Sequence, residues 1–257
     1  MMISGTLRSE WIKLRSLRST WYTVGGLFVA GIGITALATA SAGAEYAKAT
    51  AAERAAWDPT GLSLKSFIIA QLIIGVLGVL VVTSEYATGL IQSSLTATPR
   101  RSRLLAAKVV LAAAVAVVAG QVLMFAAFLI GQGFLAGQQL PHASLGDPGV
   151  FGAVAGGGLY LAAIALLAVG LGTLIRATAG ALAALVGIVL LVPAVAGVFP
   201  DWMQWLFTFW PSKGAAAIFS VKLDPAYPDP WLNLAGLYAG VVVVLAAAFA
   251  AFRRRDV

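Results

Sequence analysis

Six stretches of this chain carry no charged side chain: residues 19–44, 66–84, 109–146, 148–175, 177–200 and 230–252. Each reaches the roughly 17–25 residues that an α-helix needs to cross the bilayer core. A chain in lipid must satisfy its backbone polar groups internally, so only helices and closed barrels can span. Barrel strands would show alternating polarity over about ten residues, and no such alternation occurs here. The expectation is therefore an all-α integral membrane protein with six transmembrane helices. They are placed at about 21–41, 66–84, 104–136, 150–175, 177–199 and 231–252, in one domain covering 1–257. The composition agrees, with 60% hydrophobic and 11% charged residues, against roughly 45–50% and 25% in soluble domains. The mean hydropathy is +0.93.

The net charge of +7 raises the question of nucleic acid, and the placement of the basic residues answers it. They flank the apolar runs, where Lys and Arg set orientation. With a cytoplasmic N-terminus, that side holds 12 of them, from Arg8 to Arg255, and the other side holds 5: Lys48, Arg54, Lys65, Lys213 and Lys222. Both termini are thus expected in the cytoplasm, with the bilayer and not nucleic acid as the partner. Ala40, Ser41 and Ala42 resemble a signal-cleavage site, but the run before them is too long for a signal peptide, so an uncleaved anchor is expected.

The first residues read as an amphipathic interfacial helix over 5–20. Leu7, Trp11, Leu14, Leu17 and Trp21 recur at helical spacing, leaving Arg8, Lys13 and Arg15 for lipid phosphates, while Arg18 snorkels. The opposite end of the chain has a different texture. Trp202, Trp205, Trp210, Pro211 and Ser212 fall in a tryptophan- and proline-rich stretch too short to span, which suits an interfacial or re-entrant piece. Pro193 predicts a kink or early stop in the fifth span.

The residues offer little chemistry. No charge lies within the span interiors, where ion paths and proton relays place theirs. His142 is the single histidine and there is no cysteine, which leaves no metal set. No Gly-x-x-x-x-Gly-Lys-Ser/Thr loop, His-Glu-x-x-His pair or Gly-x-Ser-x-Gly elbow occurs. An enzyme is not expected. If the chain moves something uphill, the energy comes from another polypeptide.

The charged interruption between the second and third spans then gains interest. Glu85 is followed by Gly89, Pro99, Arg100, Arg101, Arg103 and Lys108. Together with residues 9–21, the stretch 171–180 and the closing arginines from Arg253, this order resembles the permease subunit of an ATP-binding-cassette type-2 exporter. Its alanine- and arginine-rich wording is similar to actinobacterial members.

The resemblance implies that the first helix is the elbow helix, with Trp11, Leu14, Arg15 and Arg18 at the headgroups. It implies a coupling helix after Glu85 and Tyr86 that docks into a separate ATPase subunit. Leu90, Ile91, Ser94 and Leu95 would offer that partner a small apolar face, Pro99 would end the helix, and Glu85 would brace the hairpin against Arg100, Arg101 or Arg103. The tryptophan-rich stretch would form an outer gate region. Two ATPase copies, which bind the ATP and magnesium, would pair with two permeases, alike or different, in a bacterial cytoplasmic membrane. This chain would carry no cofactor of its own. The other reading of the same residues is a non-catalytic six-span membrane scaffold or immunity protein.

Overall fold

A computed structural model describes residues 3–97, 100–222 and 224–254, and every regular element within them is helical. Helix α1 (Ile3–Ser16) stops where Leu17 takes an extended conformation, and α2 (Arg18–Ala40) begins at once. The elbow therefore ends about one turn earlier than expected, and Arg18 and Trp21 belong to the first long helix. Its inward stripe also differs. Thr6, Glu10 and Leu14 are buried, while Trp11 points outward. An acid displaces the expected aromatic on the inward face because it finds a cation there.

Short helices follow at the far end of α2. They are α3 (Ala42–Lys48), α4 (Ala51–Ala55) and α5 (Pro59–Leu64). Thr50 and Glu53 close a reciprocal capping box on α4, and Asp58 caps α5 by accepting from the Thr60 and Gly61 amides. Such caps satisfy orphan donors of the first turn. Helix α6 (Phe67–Ala87) returns, and Gly89, with φ of 70°, turns the chain into α7 (Leu90–Ala97).

Helix α8 (Arg101–Gly137) has 37 residues, which is about 55 Å at 1.5 Å per residue. This exceeds the roughly 30 Å hydrocarbon core, so one end projects beyond it. Helix α9 (Val150–Ile175) lies between the left-handed residues Gly149 and Arg176. Helix α10 (Thr178–Val186) leads through a π-helical turn, Gly187–Leu191, into α11 (Val192–Ala194). Three 3-10 segments among the described residues, Ala196–Val198, Asp201–Thr208 and Gly214–Phe219, precede α12 (Pro230–Arg254).

Among the described residues, five helices are long and apolar enough to cross a membrane: Arg18–Lys48, Pro59–Ala87, Arg101–Gly137, Val150–Ile175 and Pro230–Arg254. The segment expected as the fifth span, 177–199, is the shorter apolar stretch Thr178–Ala194. Pro193 supplies the reason. It has no amide proton for the carbonyl four residues back, and the ladder before it widens to π geometry, which releases the Ile188 carbonyl. Trp210 Nε1 donates to that oxygen at 2.7 Å.

Helix α9 occupies the centre, against α6, α8, α10 and α12, and most of its residues are buried. A helix apolar all round belongs inside. The approach of α6 is close because of Gly78, where an added Cβ would sit 2.3 Å from the Ala165 carbonyl oxygen. A Cβ added at Gly156 would likewise sit 2.3 Å from Ile218, whereas one at Gly133 or Gly137 would meet nothing within 4 Å.

The helix ends sort into two groups. At one end, Ile91 of α7, Leu104 and Leu105 of α8 and Phe252 of α12 form one apolar cluster. At the other, Gln138 bonds Gly43 and Thr39, Trp57 bonds Pro141, and Asp58 accepts from Ser220 and Val221. Loops joining different helix pairs are knitted together there.

Candidate functional site

The first group of helix ends contains a closed ring of four charges. Lys108 Nζ lies 2.7 Å from Glu10 Oε2 and 2.8 Å from Glu85 Oε1. Lys13 Nζ lies 2.7 Å from Glu10 Oε1 and 3.0 Å from Glu85 Oε1. Charges alternate around the ring, so it is neutral as a whole. Each ammonium spends a third donor on the scaffold: Lys108 on the Val81 carbonyl at 3.3 Å and Lys13 on Ser94 Oγ at 2.9 Å. The ring therefore ties α1, α6, α7 and α8 at one point.

Burial makes the ring consequential. Lys108 is 3% exposed, and Glu10 and Glu85 are buried. Unpaired charges in such a place would be very costly, while paired and hydrogen-bonded ones are tolerated. Lys13 is half exposed. Partial burial pulls its pKa down, but the hydrogen bonds and charges of Glu10 and Glu85 outweigh this and hold it above the ordinary 10.5. Glu85 Oε2 is buried with no hydrogen-bond donor among the described residues. A cavity of about 200 Å³ adjoins the ring, walled by Leu14, Leu17, Leu80 and Ser84 among others.

These contacts revise several expectations. Glu85 braces the hairpin through Lys108 and Lys13 rather than through the arginines at 100, 101 and 103. Lys13, expected to face lipid phosphate, turns inward. The apolar face expected on α7 is divided. Ile91 and Ser94 are buried within the chain, Leu95 is half-buried, and Leu90 points out at 56% exposure. Ile91 packs inward because Leu104, Leu105 and Phe252 already form an apolar floor beneath it. Gln92, Ser93 and Thr96 join Leu90 on the outer face.

Tyr86 is half-buried with the Arg176 guanidinium 5.4 Å above its ring. Arg100 is exposed, Arg101 and Arg103 are half-buried at the start of α8, and Pro99 lies outside the described residues. On α1, Leu14 is buried while Trp11 and Arg15 are exposed, as is Arg18 at the start of α2.

Gln71 lies 14 residues before Glu85 on α6, about 21 Å away at 1.5 Å per residue, and anchors a second polar node. Tyr160, fully buried on α9, donates to Gln71 Oε1 at 2.7 Å. The Ser212 amide donates to the Tyr160 hydroxyl at 3.0 Å, and Ser212 Oγ donates to Gln71 Oε1 at 3.2 Å. The Pro211-Ser212 turn, with Ser212 at φ of 58°, is thus inserted into the bundle. Pro211 is buried and Trp210 half-buried, whereas Trp202 and Trp205 are exposed. The expected outer gate residues therefore divide into an inserted turn and an outward aromatic surface.

Glu10 and Lys108 were legible as charges but not as partners, because 98 residues separate them. The available signal was Glu10 itself, four residues after Thr6 and four before Leu14 on one helical stripe. Neither Gln71 nor Tyr160 announces its role, since a polar residue in a span most often bonds a neighbouring helix.

An all-helical bundle with five membrane-length helices and a charged hairpin at one end fits the sequence resemblance, and a family comparison decides it. Residues 6–194 match the family described as ABC-2 family transporter protein. The chain belongs to that family. It is a multi-pass membrane component of an ABC transporter and not itself a catalytic enzyme. The match runs from α1 through α11 and so includes all four residues of the ring. No curated protein matches the chain.

Proposed function

We propose that this chain is the membrane-spanning permease subunit of an ATP-driven exporter, coupled to a separate ATPase through α7. The observation that carries the proposal is the two-sided character of that helix. Its inner face is tied to the ring through Ser94 and to the apolar floor through Ile91. Its outer face presents Leu90, Gln92 and Ser93, all exposed among the described residues. A coupling element needs both properties: a surface for a partner and a stiff link into the spans. A push on α7 reaches Lys13, and through it α1, α6 and α8 together.

In this reading the ring end is cytoplasmic, as the distribution of basic residues supports, and both termini lie on that side of a bacterial cytoplasmic membrane. The whole of 1–257 acts as one transmembrane domain with six crossings, the fifth being the short, π-wound segment. Two ATPase copies hold the ATP and magnesium. Two permeases pair, and the path runs between them, with Pro211 and Ser212 in the outer gate region. A path of few charges suits amphipathic or lipid-like cargo.

The test is co-purification with the cognate ATPase. Leu90→Ser should leave the permease folded, because the side chain is exposed, yet reduce ATPase recovery and transport-linked ATP hydrolysis several-fold. Full recovery and unchanged hydrolysis in Leu90→Ser and in Gln92→Ala would reject α7 as the docking element and favour a scaffold.

A further inference from the structure

Beside the elbow, on the outer surface of the bundle, an apolar groove of about 350 Å³ lies between α1, α2 and α8. Val24 and Phe28 of α2 form one wall, and Val115, Val118 and Val122 of α8 form the other. From Ala114 to Val122 it rises about 12 Å along α8, at 1.5 Å per residue. Val118 and Val122 are more than half exposed, so no described residue covers them.

The mouth of the groove has the opposite character. Trp11 and Trp21 flank it, and Arg15 is the one charged residue among its described lining. Trp21 Nε1 donates to the Arg15 carbonyl at 2.9 Å across the α1–α2 break, which holds both residues at the rim. No described carboxylate pairs with Arg15. The contrast with Lys13, two residues earlier, is informative. Lys13 turns inward and its charge is cancelled within the ring, whereas Arg15 is left to face outward at the top of an apolar slot.

We infer that this groove holds one acyl chain of an anionic phospholipid, with the phosphate at Arg15. The outer faces of α2 and α8 are exposed in a chain built for lipid, so lipid is the medium that fills the slot. Tryptophan at the mouth suits the headgroup level. An exposed guanidinium that no described carboxylate pairs selects net negative headgroups over zwitterionic ones, and its planar fork matches phosphate. The bound lipid would wedge between the elbow and the first and third long helices, and so stiffen the region that the charge ring also braces.

The experiment follows thermal unfolding of the full-length chain in mixed micelles, titrated with phosphatidylglycerol or with phosphatidylcholine of the same acyl chains. The expected result is that phosphatidylglycerol half-saturates at roughly fivefold lower concentration, the worth of one basic residue at an anionic surface. Arg15→Gln should erase the preference while keeping the response to either lipid. Val118→Trp, which fills the slot, should remove both responses, and Val122→Trp serves the same purpose if the first variant does not fold. Equal half-saturation by the two lipids in the native chain, or an undiminished preference in Arg15→Gln, would overturn the inference. The chain has no cysteine, so Val118→Cys adds a check. Disulfide-linked dimers of that variant in membranes would show the groove covered by a second copy, and would also overturn it.

Discussion

Replacing Lys108 by Met removes the ammonium that closes the charge ring while keeping a long, flexible apolar stem in place. Two ion pairs at 2.7 and 2.8 Å and the bond to the Val81 carbonyl are lost together. At an effective dielectric of 20, each such pair attracts by about 6 kcal/mol. Desolvating each ion costs several kcal/mol in return, so most of that attraction is offset in the intact ring. Removing one partner recovers none of the desolvation cost for Glu10 and Glu85, which stay buried with only half-exposed Lys13 to neutralise both. The expected loss is about 3–5 kcal/mol, the range for an orphaned buried charge.

Melting of the detergent-solubilised chain should register this as a drop of roughly 6–20 °C, at about 2–4 °C per kcal/mol for a chain of this size. The decisive comparison is with Glu10→Gln/Glu85→Gln/Lys108→Met. Removing the whole buried set leaves no uncompensated carboxylate, so the triple variant should regain most of the lost melting temperature. That gain is the signature of an ion-pair ring, since a purely steric role for Lys108 predicts no recovery. A single Lys108→Met variant melting within 2 °C of the native chain, or a triple variant no more stable than the single, refutes the reasoning.

Two other sites give independent tests. Gly78→Ala places a methyl 2.3 Å from the Ala165 carbonyl oxygen, so α6 and α9 must separate at a cost of about 1–3 kcal/mol; an unchanged melting temperature would show that their approach is looser than described. Tyr160→Phe strips the hydroxyl that accepts from the Ser212 amide and donates to Gln71. It should cost about 1–3 kcal/mol through the unsatisfied partners and raise proteolysis between Trp202 and Ser220; a protease pattern identical to the native chain would detach the turn from this node.

The identity of the medium was legible in the amino-acid order alone. Uncharged runs of membrane length admit only helices, because lipid offers the backbone no hydrogen bonds, and the basic residues between them orient the hairpins. Composition and spacing also isolated the loop after Glu85 as the polar exception, and Pro193 marked the weak span. These are local properties: each depends on residues within a helix or a turn of one another. Tertiary structure decided the rest. Only folding brings Glu10 within 2.7 Å of Lys108 across 98 positions, turns Ile91 inward while Leu90 stays out, and delivers Ser212 to Tyr160. A helical wheel ranks faces by hydrophobicity, and on that ranking an acid such as Glu10 belongs outside. It goes inside because the energy of a charge depends on what stands opposite, and the buried cation opposite Glu10, Lys108, belongs to another helix.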